Sequence, residues 1–296
     1  MVDSRNTEDL DMKIPATALM LVCCVALMTD SLAQLIEKPR PEFPSSERGR
    51  EGWVVLNSSI NDDGIVVDLS IKDSSGSDAF NEAALSAVRA WRFESAESRQ
   101  LDVLLNFVFE QSQVHFSRKF IAHAERVHKL IDKGKLDDAQ ELIDTFRDEQ
   151  NIGAYELSYS LIAEGRLAEV RGDKAAQLRC FRRATINHGR WLERDKYLML
   201  LHAMIVLEVQ QQDFTSALGN YALLTETSPG RKLAEGLEEP MQSITALLES
   251  GGDFASAYTV ADIEMTIEHE GSVLQQDIGF RDDYFGETEE IDVRPD

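Results

Sequence analysis

Two short runs around a four-residue turn constrain this chain most. Trp53 to Ile60 is rich in β-branched and aromatic residues, which suit an extended strand. Ile65 to Lys72 then alternates, with Ile65, Val67, Leu69 and Ile71 on one side and Val66, Asp68, Ser70 and Lys72 on the other. A period of two fits a strand with one covered face and is incompatible with a helix. Between the runs lies Asn61-Asp62-Asp63-Gly64, where Asp and Gly tolerate the positive φ of a tight turn. A connection this short requires an antiparallel hairpin.

Asp73 to Ser77 reads as a loop, and Asp78 is the expected cap of a following helix. Phe80, Ala84, Ala87, Val88 and Trp91 recur at helical spacing and give that helix one apolar face. Leu101 to Phe109 is a third strand. Leu101, Val103, Leu105, Phe107 and Phe109 share one face; Asp102, Leu104, Asn106 and Val108 share the other. Both faces are largely apolar, so cover is expected on both sides. One should meet the Ala84-Val88-Trp91 helix, the other the first helical repeat or a partner. The order is β-β-α-β. Gly52, Gly64, Trp91 and Phe93 read as turn and core residues.

From His115 onward the period becomes helical. Gly134-Lys135-Leu136-Asp137-Asp138-Ala139 and Gly172-Asp173-Lys174-Ala175-Ala176-Gln177 resemble one another. So do Gln212-Asp213-Phe214-Thr215-Ser216-Ala217 and Gly252-Asp253-Phe254-Ala255-Ser256-Ala257. Asp173, Asp213 and Asp253 recur at one fixed interval, the signature of a repeat array. Each stretch is expected to be the turn of a helical hairpin, with Phe181, Tyr221 and Ala261 at equivalent places on the second helix. A plain helical bundle fits the same periodicity. The acidic residues 268–296 read as a mobile tail, with Phe280, Tyr284 and Phe285 able to dock it.

The net charge of −23 argues against nucleic acid, whose phosphates need clustered Lys and Arg, and against an anionic membrane surface. Two of the three cysteines, Cys23 and Cys24, lie in an apolar leader; Cys180 stands apart, so no internal disulfide is expected once the leader is removed. His115, His123 and His128 do not form a ligand pair and read as surface histidines. No nucleophile and base set, phosphate loop or metal motif is visible, so a non-enzyme without cofactor is expected.

Residues 1–33 read as an export signal. Met12-Lys13 precedes an apolar run, Ile14 to Met28, and Ser31-Leu32-Ala33 is a small-residue cleavage pattern. The acidic prefix is wrong for such a signal, which places the expected start at Met12. The same run also reads as an uncleaved inner-membrane anchor.

Residues 34–112 resemble the C-terminal domain of the TonB family of energy transducers. The resemblance rests on Phe43-Pro44, Gly52-Trp53-Val54, Asp63-Gly64 and above all Ala87-Val88-Arg89-Ala90-Trp91-Arg92-Phe93. Residues 113–267 resemble tetratricopeptide repeats, with a longer spacing and without that family's terminal proline. The resemblance implies an α+β chain, a small TonB-like domain followed by a helical hairpin-repeat array. It implies a periplasmic protein–protein interaction module linked to TonB-dependent transport, in which an edge strand grips a segment of an outer-membrane receptor. Leu101, Val103, Leu105 and Phe107 are then the candidate partner-binding residues. Two departures weigh against energy transduction by the usual route: the linker of Leu35 to Arg50 is short, and the leader has no histidine. A periplasmic scaffold, its sheet packed on its own repeats, is the competing expectation.

Overall fold

β2 (Gly52–Ile60) and β3 (Val66–Ser74) form the expected antiparallel hairpin. In this computed structural model the described residues are 35–47, 49–94, 99–111, 117–147, 152–250 and 261–272. The hairpin turn is closed by Asn61, whose side-chain Oδ1 accepts from the backbone N–H groups of Asp63 and Ile65. Gly64 sits at φ +76°, and a Cβ there would lie 2.0 Å from the carbonyl oxygen of Phe93. Both facts require glycine. The strict alternation of β3 is broken. Asp68 takes φ +50°, and the pairing shifts between Asn57 and Ser59. This bulge changes which side chains point inward. Val66 is buried, whereas Ile65, Val67 and Ile71 are exposed.

α1 (Asp78–Arg89) starts one residue earlier than the expected cap allows. Ser77 is the cap, its hydroxyl accepting from the Phe80 N–H at 3.2 Å, and Asp78 is the first helical residue. Trp91 lies just past the helix, yet it is fully buried in the same cluster and donates Nε1–H to the Pro39 carbonyl. Two short strands, β1 (Leu35–Glu37) and β4 (Arg92–Phe93), pair antiparallel beside it. β5 (Arg99–Gln111) pairs antiparallel with β2 in continuous register from Gly52↔Phe107 to Ile60↔Arg99.

Helical hairpins come next: α2 (Arg118–Asp132) with α3 (Leu136–Arg147), α4 (Ala154–Val170) with α5 (Lys174–Ala184), and α6 (Arg194–Gln210) with α7 (Phe214–Thr225). Their turns share one geometry. Gly134, Gly172 and Gln212 each take positive φ. In each, the next residue donates back to the end of the first helix: Lys135 to Leu130, Asp173 to Ala168 and Asp213 to Glu208, all at 2.9 Å. This satisfies carbonyls that a helix end leaves orphaned. The alanine expected inside the turn recurs only in part: Ala139 and Ala217 are buried, but Gln177 takes the equivalent place. There, close approach of the helices rests on Gly165, whose Cβ would meet the Phe181 ring at 2.4 Å. α8 (Ser228–Leu233) and α9 (Glu238–Glu249) are the last helices among the described residues.

The stretch around Asp253 lies outside the described residues. Beyond it the chain does not form the second helix of another hairpin. It forms β6 (Ile263–Ser272), a strand of the N-terminal sheet. The strand order is β3-β2-β5-β6. The division expected between residues 267 and 268 therefore cuts through one element, and the start of the acidic tail belongs to the sheet. Phe280, Tyr284, Phe285, His115 and the leader lie outside the described residues. No helix of the described residues is long and apolar enough to cross a membrane.

The sheet is covered on both faces, as the two-sided apolar character of Leu101 to Phe109 anticipates. Val54, Leu56, Val103, Leu105 and Phe107 form a cluster with the apolar stripe of α1. Trp53, Val55, Leu104 and Val108 join the helical core on the other side. The polar ties there fall on the end of the second hairpin and the loop after it.

Candidate functional site

β5 is the strand on which the partner-binding expectation rests. It is an interior strand, not an edge. β2 takes one side, and β6 runs parallel along the other from Val103↔Ile263 to Gln111↔Ser272. Leu101, Val103, Leu105 and Phe107 are all buried and face α1. They are core residues in this structure and touch no open edge. The signal for β6 is present in the sequence: Ile263, Met265 and Ile267 alternate with Glu264, Thr266 and Glu268. That alternation is short and comes just after a fourth copy of the helical turn motif, which masks it.

β6 is held by backbone pairing and a few side chains. The Asp262 N–H donates to the Asp102 carbonyl at 2.8 Å, and the Asp102 N–H donates to Asp262 Oδ2 at 2.7 Å. The Asn106 amide donates to Glu264 Oε1 at 2.6 Å, and His188 Nε2 stands 3.8 Å from Glu264 Oε2. Met265 and Ile267 enter the α1-side cluster; Glu264, Thr266 and Glu268 remain exposed. The His269 ring packs against Phe43 and Phe109.

The junction with the helices is built from the segment after α5. Asn187, His188 and Gly189 all take positive φ, one left-handed turn. Gly189 is required there twice over, since a Cβ would strike the Tyr197 ring at 2.2 Å. The turn directs Arg190 and Trp191 back at the sheet. Arg190 donates to the Phe109 carbonyl, and Trp191 Nε1–H donates to Glu51 Oε2. Glu51 also accepts the Phe109 N–H at 2.7 Å and is almost wholly buried. At the other end, Arg183 makes a two-point bond to Asp73 at 2.7 and 2.8 Å and lies over the Trp53 ring.

A cleft of about 330 Å³ opens between β5, β6 and α5 to α7, with Leu104, Thr185, Tyr197, Met204, Glu208 and Glu264 among its walls. Glu208 is fully buried, and burial raises its carboxyl above the usual range. Arg182 and Asn220 donate to it, and Arg182 also reaches Asp213. The network is internally satisfied. Among the described residues no group of His, Cys, Asp and Glu is placed to hold a metal ion. Cys180 is buried, and burial next to Glu164 pushes its thiol up to about 12, so it is a poor nucleophile. His123 and His128 are half-buried rather than surface residues.

The order hairpin, helix, long strand, with Phe43 packed over Phe80, Phe107 and Phe109, matches the segment that carries the resemblance. Residues 39–110 match the family model for the Gram-negative bacterial TonB protein C-terminal. The TonB-like part thus spans β2 to β5 and the segment before it. The matched region stops short of β6 and of every helix after α1. No curated protein matches the chain.

Proposed function

We propose that the chain is a protein–protein interaction protein of the cell envelope, with a TonB-like sheet as its recognition element. The match of residues 39–110 carries this reading. TonB C-terminal domains are non-enzymatic and contact outer-membrane receptors, so the partner class is an extended protein segment rather than a small molecule. Recognition by strand addition draws affinity from the backbone and specificity from alternate side chains. On this reading the helical hairpins act as a tetratricopeptide-like array that holds a second protein, and residues 1–33 direct export or anchor the chain in the inner membrane. A role in TonB-dependent transport is the narrower form of the proposal.

A second reading is favoured by the junction itself. Glu51, Asp73 and Phe109 tie the sheet to Arg183, Arg190 and Trp191, which suits a scaffold in which sheet and helices are one recognition body. In-cell photo-crosslinking separates the two. A crosslinking residue at Val67, on the exposed outer strand β3, is expected to trap outer-membrane proteins. Trapping envelope proteins only from positions on α6 and α7 favours the scaffold. A fusion of residues 1–60 to a reporter active only outside the cytoplasm is expected to be active; a silent, stably expressed fusion overturns both readings.

A further inference from the structure

We propose that the cleft between β5, β6 and α5 to α7 is a binding site for a small organic cation. The ligand class is a compact apolar body bearing one protonated amine, met by Glu264, and one neighbouring oxygen acceptor, met by Asn187. This goes beyond the reading above: every residue lining the cleft except Leu104 lies outside the matched segment 39–110.

Space is the first support. Leu104, Ile186, Leu201, Met204 and Leu223 give the cleft apolar walls, and Tyr197 adds an aromatic one. Its volume of about 330 Å³ is within the range of small-molecule sites. At the roughly 30 Å³ that one water occupies, it holds a body of about ten heavy atoms. Gly219 keeps this space open. It lies inside α7, where glycine weakens a helix. Neither usual reason for it applies, since its φ is not left-handed and a Cβ there would meet nothing within 4 Å. The room beside it is the cleft itself.

Charge is the second. Arg182 is shared between Glu208 and Asp213, so one guanidinium serves two carboxylates. Glu264 brings a third carboxylate to the cleft from β6. Its Oε1 takes the Asn106 amide. Among the described residues, the basic group in ion-pair contact with its Oε2 is the His188 ring, at 3.8 Å. The hydrogen bonds of Glu208 are met, but the charges of the cleft are not balanced. Acidic groups beside low-dielectric walls concentrate their field in the space between, which draws a cation and repels an anion.

The strained turn after α5 is the third. Asn187 and His188 hold φ of +55° and +53°, a conformation that a Cβ disfavours. Strain of this kind persists where the surroundings impose it, and it clusters at ligand sites. Here it sets both residues against the cleft. The Asn187 Nδ2 is buried and has no acceptor among the described residues. An unmet buried donor is costly, and an oxygen on the ligand relieves it.

The test titrates phenylethanolamine into the full chain and follows the methyl resonances of Met204 and Ile186. Saturable shifts are expected at both. Phenylethylene glycol and mandelate carry a hydroxyl or a carboxylate where this probe carries its ammonium. Each is expected to bind at least about fivefold more weakly, and phenethylamine, which lacks the oxygen, about threefold more weakly. Glu264→Gln keeps an oxygen for Asn106 but removes the charge. It should weaken the amine about fivefold and leave the glycol unchanged. Gly219→Leu should fill the cleft, abolish binding and melt no lower than the native chain. Shifts that rise without saturating, equal affinity for all four compounds, or an amine affinity unmoved by Glu264→Gln each overturn the proposal. So do binding that survives Gly219→Leu and a lowered melting point in that variant, because the space would then not be open. None of these readouts needs an envelope partner, so the reporter and crosslinking results stand or fall separately.

Discussion

Trp191 donates its indole N–H to the carboxylate of Glu51 at 2.7 Å, joining residues far apart in sequence across the sheet–helix junction. Glu51 takes the Phe109 N–H as well, and Arg190 stands 3.6 Å away. Removing the acceptor strands two buried donors and takes a counter-charge from Arg190. Glu51→Ala is expected to lower unfolding free energy by about 2–4 kcal/mol, and Glu51→Gln by less because one oxygen remains. Urea unfolding tracked by tryptophan fluorescence measures both. A change under about 0.5 kcal/mol for the alanine variant contradicts a structural role for this group.

His128 gives the chain a pH dependence. Burial first, and then the Arg166 guanidinium, depress its pKa to about 4, while Asp132 opposes the shift. Arg166 stands 3.2 Å from Nδ1, where the neutral ring can accept. The folded pKa is depressed below the unfolded value near 6.5, so the unfolded chain binds the extra proton between those limits. Stability from this group is complete above about pH 6.5 and is lost as pH falls toward 4, by at most about 3 kcal/mol. His128→Gln is expected to flatten that part of a stability profile recorded from pH 7 to 4. An unchanged slope in the variant would place the titration elsewhere.

Asn106 lies at the centre of β5, fully buried and paired on both sides, to Trp53 in β2 and Thr266 in β6. Asn106→Pro removes a backbone donor and introduces a ring into an interior strand. The sheet is expected to unfold, at a cost of about 3 kcal/mol or more by analogy with proline in helix interiors. Circular dichroism and thermal melting check this. A variant with native melting would mean that β5 tolerates an edge-like environment.

Gly189 and Gly172 share positive φ but differ in surroundings. A Cβ at Gly189 meets the Tyr197 ring at 2.2 Å; at Gly172 it meets nothing within 4 Å. Gly172→Ala should cost only the left-handed conformation, about 1–2 kcal/mol. Gly189→Ala adds the displacement of a packed ring, a further cost of about 1–3 kcal/mol. Comparing the two midpoints under one denaturant tests the ranking; equal losses would show that Tyr197 yields freely.

Much of the local structure was legible because its causes are local. The Asn61 to Gly64 turn, the apolar stripe of Phe80, Ala84, Ala87 and Val88, and the three repeated turns at Gly134, Gly172 and Gln212 each arise from neighbouring residues. The cap shifted from Asp78 to Ser77 because either side chain can accept at a helix start and only the backbone decides. The Asp68 bulge changed the phase of β3 part-way along, so that Val66 from one expected face and Leu69 from the other both turn to the core, since one residue of slip reverses a period of two. The edge assignment of Leu101 to Phe107 failed for a different reason. Whether a strand is interior depends on what pairs with it, and here the partner arrives from beyond residue 260. Glu51, Arg183 and Trp191 carry no local pattern either, because their contacts span 140 and 110 residues.

The parallel β5–β6 pairing has a consequence for synthesis. The outer side of β5 exists as soon as residue 111 has left the ribosome, but its occupant is made about 150 residues later. Throughout that interval a nascent chain carries an unsatisfied apolar strand, and closing so long a loop is intrinsically slow. Chains truncated anywhere in the helical region would share this state permanently. They are the forms in which one molecule's β5 would be expected to seek out another's.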